Sequence, residues 1–207
     1  MNKYHIPLLP GHYYHIYNHA VGSDNLFREP QNYLFFLEKF KEYLTGWLTV
    51  YTYCLLPNHF HFLVRMNDVE VDENESLLSP NINKLFADMA SKQFNCLFKS
   101  YSQSYNKFYY RRGNLFMQNF KRIEVDSDDY FVTLVLYIHF NPINHEITKY
   151  LDDWEYSSYP EILDPEPGNI SCCEVLKWFG NTETFIKMHE RNLFLHAKDD
   201  LDYISKK

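Results

Sequence analysis

WLTVYTYCLLPNHFHFLVRM, residues Trp47–Met66, reads as two strands joined by a tight turn. Trp47–Leu55 is rich in Val, Thr, Tyr and Trp, the residue types that suit a pleated, half-buried surface. Leu56-Pro57-Asn58 breaks the run, because proline presets a turn φ and asparagine tolerates turn geometry. Side chains on the second strand alternate between faces. Phe60, Phe62, Val64 and Met66 share one face, and His59, His61, Leu63 and Arg65 share the other. Two histidines one residue apart on a common face can hold one metal ion or two oxygens of one phosphate. Chance supplies about half an H-x-H in a chain with this histidine content. What singles the pair out is its setting, a Pro-Asn entry and an apolar opposite face.

The neighbouring segments extend this hairpin into a fold. His12–Val21 reads as a strand with His15, Tyr17 and His19 on one face. Glu29-Pro30 opens a helix to about Leu44, with Leu34, Leu37, Phe40 and Leu44 at helical spacing. Ser79-Pro80 starts a second helix to about Lys99, with Ile82, Leu85, Phe86, Met89 and Leu97 as its core stripe. Lys121–Val125 makes a further strand. Asp126-Ser127-Asp128-Asp129 caps a helix that runs until Pro142 stops it. This order predicts an α+β fold, a ferredoxin-like αβ-plait with an antiparallel sheet and helices on one face. The histidine face of the hairpin would then lie open to a substrate. Residues 1–162 form this domain, and 163–207 a linker (Asp164–Gly168) and a short helical C-terminal appendage.

Composition narrows the function classes. Hydrophobic residues make up 45% of the chain and aromatics 18%, enough for a sizeable core. No run approaches the ~18–20 apolar residues of a membrane span, and the N-terminal segment lacks signal-peptide features. The 4 cysteines have no CxxC spacing, so a cytoplasmic location is expected. Net charge is −7, yet residues 81–124 carry 8 basic and 2 acidic side chains, net +6. A basic segment inside an acidic chain is the footprint of a nucleic-acid binder. Residues 100–120 show no clear periodicity and interleave cations with aromatics, the combination that holds single strands. The candidate contacts are Lys99, Lys107, Arg111, Arg112, Lys121 and Arg122, with Tyr105 and Tyr109 as stacking platforms. The competing reading is that these aromatics pack on the core. The acidic stretch 67–76 reads as a solvated loop.

The helix before Pro142 carries Tyr137 and Asn141, four residues apart and therefore on one surface. A phenol with a pKa of ~10 attacks phosphate only when the phosphate is polarised or the proton is removed. A divalent ion on His59 and His61 would supply the first, with the Asn141 oxygen as a third ligand.

YHIYNHAV, YCLLPNHFHFLV, YRRGNLFMQNFKR and YIHFNPINHEI followed by WEYSSY occur in this order and spacing. Together they resemble the REP-associated tyrosine transposases of the HUH single-strand transposase superfamily, over about residues 10–162. The resemblance implies the same αβ-plait and a DNA nickase and strand transferase acting on single-stranded or hairpin DNA. It also implies a covalent 5′-phosphotyrosine at Tyr137, and Mg²⁺ or Mn²⁺ held by His59, His61 and Asn141. Both monomers and dimers occur in that superfamily, so the oligomeric state stays open. Leu56 stands where these proteins often have Met, and Ile143–Glu146 replaces a run that usually contains small residues or glycine. The competing functions are a non-catalytic DNA- or RNA-binding regulator and a metal-dependent hydrolase that uses water.

Overall fold

In a computed structural model of the chain, residues 6–69, 79–164 and 170–191 are described. The elements are β1 (Tyr13–His19), α1 (Pro30–Leu44), β2 (Leu48–Leu56), β3 (His59–Met66), α2 (Ser79–Phe108), β4 (Lys121–Val125) and α3 (Asp128–Asn144). Three short helices follow, α4 (Ser158–Leu163), α5 (Cys172–Trp178) and α6 (Thr182–Glu190). The four strands form one sheet in the order β2-β3-β1-β4, every neighbouring pair antiparallel. This is the α+β plait expected from the hairpin outward.

The period-two pattern of β3 sorts the sheet into two faces. Phe60, Phe62, Val64 and Met66 join Tyr14 and Ile16 beneath α1 and α2. Phe62 stacks on Phe40 of α1 with centroids 4.2 Å apart, and Phe94 of α2 stacks on Phe120 at 4.8 Å. Phe62 is 1% exposed. Phe62→Ala is therefore expected to cost about 3–5 kcal/mol by lost transfer energy and an unfilled cavity. A drop in the urea midpoint without a change in slope would register it.

Helices cover both faces of the sheet rather than one. Leu63, Cys54, Leu56 and Tyr51 face the other way and pack with Phe131, Leu134, Val135 and Ile138 of α3. A β-bulge between Val50 and Thr52 turns Tyr51 to that side as well. An apolar row on the second face must be buried, and α3 is apolar enough all round to do it. The outer side of α3 is in turn covered by Val175 of α5, Phe179 just after it and Phe185 of α6. The edge of β2 is shielded by the same C-terminal half. Leu55 N–H donates to Tyr156 O (2.9 Å), Ser171 N–H to Val50 O (2.9 Å) and Trp154 Nε1–H to Leu55 O (2.9 Å). An edge strand satisfied in this way offers no row of free backbone groups to another sheet.

The helices differ from expectation at three places. In α1 the buried stripe is Tyr33, Phe36, Phe40 and Leu44, while Leu34 is 57% exposed. In α2 the helix continues to Phe108, because Leu97, Tyr101 and Tyr105 carry its buried stripe onward at i, i+4 spacing. Leu85 and Met89, expected in its core, are exposed. In α3, Pro142 lies inside the helix, which runs on to Asn144. His145 N–H still donates to Asn141 O, and Ile147 N–H to Pro142 O, so the last turn closes around the proline. Most of the acidic stretch 67–76 and of the linker Asp164–Gly168 lies outside the described residues; Asp68, at the start of the former, pairs with Arg65 at 2.8 Å.

A buried polar chain ties α6 to the sheet. His189 Nδ1 donates to Phe185 O (2.8 Å), so its Nε2 must accept from His139 Nδ1–H (2.9 Å). His139 Nε2 then accepts a hydroxyl hydrogen from Thr52 (2.7 Å) or Ser158 (2.8 Å). Burial holds His189 at about 4, and His139 well below the ordinary histidine value. Both are neutral when folded, and the unfolded chain binds more protons below pH ~6.5. Stability is thus full above that value and lost as pH falls toward about 4, on the order of 3 kcal/mol from His189 alone. Urea midpoints should fall steadily from pH 7 to pH 4.5; a flat series would contradict this wiring.

Candidate active site

The antiparallel register assembles the site. β1 pairs with β3 so that His19 lies opposite His59 and Tyr17 opposite His61. Directly opposed residues share a face, so the histidines of both strands look toward α3. His19 stacks on His59 at 4.5 Å, and His15 on His61 at 5.1 Å. His59 and His61 are 5.1 Å apart with perpendicular rings. From α3, Tyr137 meets His61 edge to face at 5.5 Å and lies 6.3 Å from His15. One turn on, the buried Asn141 carboxamide lies near the His59 ring, close enough to oppose the fall in its pKa. Beyond it, His145 lies 4.9 Å from His59.

The hydrogen bonds set what each group can offer. His59 Nδ1 bonds to Asn58 Oδ1 at 2.7 Å, and His61 Nδ1 to His15 Nε2 at 2.9 Å. Asn141 Nδ2 donates to Tyr137 O at 2.7 Å, which leaves its Oδ1 as an acceptor. Desolvation lowers His59 to about 3, helped by His19 and His145 and opposed by Asn141. Burial also carries His15 to about 3 and His61 well below its ordinary value, the latter aided by His15 and His59. The pair is therefore neutral, the state in which imidazole ligates a metal.

Does this donor set fit a divalent ion? A neutral His59 that donates Nδ1–H to Asn58 Oδ1 keeps Nε2 as a lone-pair donor, the form in which imidazole can ligate a cation. The bonds from His59 Nδ1 to Asn58 and from His61 Nδ1 to His15 fix the two rings in orientation. Among the described residues no three His, Cys, Asp or Glu side chains are grouped to hold a metal. His59, His61 and Asn141 offer two neutral imidazoles and one carboxamide, a donor set without a carboxylate.

His59 and His61 are only 3% and 4% exposed, so the histidine face is not open as expected. α3 roofs it. Access is from the rim, where Asn58 and His145 are exposed and His19 and Tyr137 half-buried. His15, His19 and His145 belong to this cluster and were not among the expected site residues. The shared face of His15, Tyr17 and His19 was the available signal. His145 lay beyond the proline taken to end its helix.

The expected nucleic-acid contacts separate. Lys121 lies opposite Tyr17, on the face of the histidines. Lys99, Lys107 and Arg112 are exposed elsewhere on or after α2. Arg111 is held by Asp24, by Asn106 Oδ1 (3.1 Å) and by Asn114 O (2.7 Å), so it locks two loops together. Arg122 faces α2, donating to Ser91 Oγ (2.6 Å) and lying 4.8 Å over Phe120. Tyr105 is buried, its hydroxyl donating to Asn25 O (2.6 Å), and Tyr109 Oη donates to Asn32 Oδ1 (2.9 Å). The packing role expected as the alternative holds for Tyr105.

No protein-family model and no curated protein sequence matches the chain. Among solved structures, the fold is similar to that of a REP-associated tyrosine transposase bound to a REP hairpin. The TM-score is 0.61 with 14% sequence identity, covering 80% of this chain and 87% of that one. At that identity the likeness establishes the fold. The chain is thus an α+β protein with the plait of a hairpin-bound transposase and a histidine–tyrosine cluster between its sheet and third helix. No described helix is long and apolar enough to cross a membrane.

Proposed function

We propose that this protein cleaves and rejoins single-stranded or hairpin DNA through a covalent bond to Tyr137. The observation that carries the reading is the edge contact of Tyr137 with His61, 5.5 Å between rings, one helical turn from Asn141 at His59. In the reaction, Tyr137 Oη attacks the phosphorus and loses its proton. The bond from phosphorus to the 3′ oxygen breaks, and that oxygen leaves as a hydroxyl. The 5′ phosphate stays on the tyrosine as an ester, which keeps the strand competent for rejoining. The packed ring of His61 fixes the phenol, and the bond from Asn141 Nδ2 to Tyr137 O couples the two residues along α3. His59, His61 and Asn141 would hold Mg²⁺ or Mn²⁺. A bound ion would act as Lewis acid on the phosphate. Imidazole ligands favour Mn²⁺ over oxygen-preferring Mg²⁺.

Support from the fold is its likeness to a transposase bound to a hairpin. The direct test is a labelled palindromic hairpin from the DNA flanking the gene, incubated with the protein and Mn²⁺ or with EDTA. A shifted, protein-linked band that needs the metal is expected. Binding unaffected by EDTA, with no cleavage of any flanking hairpin, would mark a non-catalytic binding protein instead.

A further inference from the structure

At the same end of the sheet as His59 lies a second concavity. It is a cleft of about 530 Å³ between the start of α1 and the end of α2. Its walls are Phe35, Tyr101, Tyr105, Phe108 and Tyr109, and its rim carries Glu29, Asn32 and Ser104. Its position follows from the backbone. Tyr101 Oη donates to Leu26 O (2.6 Å), and Leu26 N–H donates to Pro57 O (2.7 Å), two residues before His59. The chain from His19 to Arg28 thus joins the histidine rim to the cleft.

We infer that this cleft takes an unpaired nucleobase of the strand whose phosphate enters the Tyr137 site, an inference that rests on the function proposed above. Three features favour a base over another occupant. Tyr101 and Tyr105 form the buried floor of the cleft, and Phe108, 67% exposed with its ring edge-on to Tyr109 at 4.8 Å, is the aromatic surface a base can reach. The rim offers both an acceptor and a donor for a base edge. Glu29 is an exposed carboxylate, and Asn32 spends Oδ1 on Arg28 N, Glu29 N and Tyr109 Oη, leaving Nδ2 as its donor. The flanks are cationic. Arg28 lies 4.9 Å over Tyr109 and 5.6 Å over Tyr105, and Lys107 and Arg112 are exposed beside them in the segment of net +6. Cations for the backbone beside aromatics for the bases is the arrangement that grips single strands. A flat apolar ligand would find the rings but no use for the charges.

The test compares dA12 with an oligomer of the same length and charge built on abasic tetrahydrofuran units, by fluorescence anisotropy with EDTA present to prevent cleavage. Wild-type protein should bind dA12 about tenfold tighter, the lower part of the range for base–aromatic stacking. Phe108→Ala should remove most of that preference while leaving affinity for the abasic strand unchanged. Because Phe108 is exposed, the variant should keep the wild-type circular dichroism and urea midpoint. Equal affinity of the wild type for the two oligomers would overturn the inference, as would a Phe108→Ala variant that keeps the full preference. Failure to bind either oligomer would instead strike at the DNA function itself.

Discussion

Replacing Tyr137 with phenylalanine is expected to abolish the protein-linked DNA band and strand cleavage, by roughly 10³-fold or more, while leaving DNA binding within about twofold. The asymmetry follows from the geometry. The phenyl ring still makes the edge contact with His61 at 5.5 Å, so the site keeps its shape. Only the oxygen is lost. Tyr137 is half-buried at the rim rather than sealed in the core, so the substitution carries little stability cost. Gel separation of protein-linked DNA and anisotropy of a labelled hairpin read the two quantities separately. Cleavage surviving in Tyr137→Phe would point to water as the nucleophile.

Removing an imidazole should separate metal binding from DNA binding in a second way. His59→Ala and His61→Ala are each expected to weaken Mn²⁺ binding by more than the ~10–100-fold typical of losing a residue that only orients a ligand. Cleavage should fall with it. Asn141→Ala should weaken the ion less, because a neutral carboxamide is the poorest donor of the three. It should also loosen the turn that its Nδ2 ties to Tyr137 O. Calorimetric titration with Mn²⁺ in the absence of DNA gives a readout independent of turnover. His15 packs against His61 through a 2.9 Å hydrogen bond without belonging to the proposed ligand set, so His15→Ala gauges how far orientation alone matters.

Much of the plait was legible because strands advertise themselves twice, by residue type and by alternation. The face assignment of Phe60 and Phe62 against His59 and His61 holds residue by residue. The limits of α1 at Pro30 and Leu44 were marked by a proline at the start and Thr45-Gly46 at the end. Two things were hidden. The second layer of helices depends on contacts between distant segments, such as Phe131 stacking on Trp178 at 4.2 Å, and no local pattern reveals them. The length of α2 was masked by its own composition. Tyr105 looks like a nucleic-acid platform in a polar run, yet its hydroxyl reaches a backbone carbonyl and its ring is buried, as is that of Tyr101.

The site was legible in part for the same reason. His59, His61, Tyr137 and Asn141 stood out by spacing on single elements, and the fold brings all four together. His19 and His15 could be placed on a strand face, but only the β1–β3 register shows that they stack on the other pair. Charge was the least readable signal. Arg111 and Arg122 count toward a basic segment, but both are spent on internal partners, Asp24 and Ser91 among them. Lys121, by contrast, lies on the histidine face beside Tyr17.

The most direct measurement is mass spectrometry of the protein after incubation with Mn²⁺ and a flanking hairpin, followed by nuclease and protease digestion. The peptide containing Tyr137 should carry a 5′-linked nucleotide on its phenol. A nucleotide on any other residue, or cleaved DNA with no modified peptide, would contradict the account.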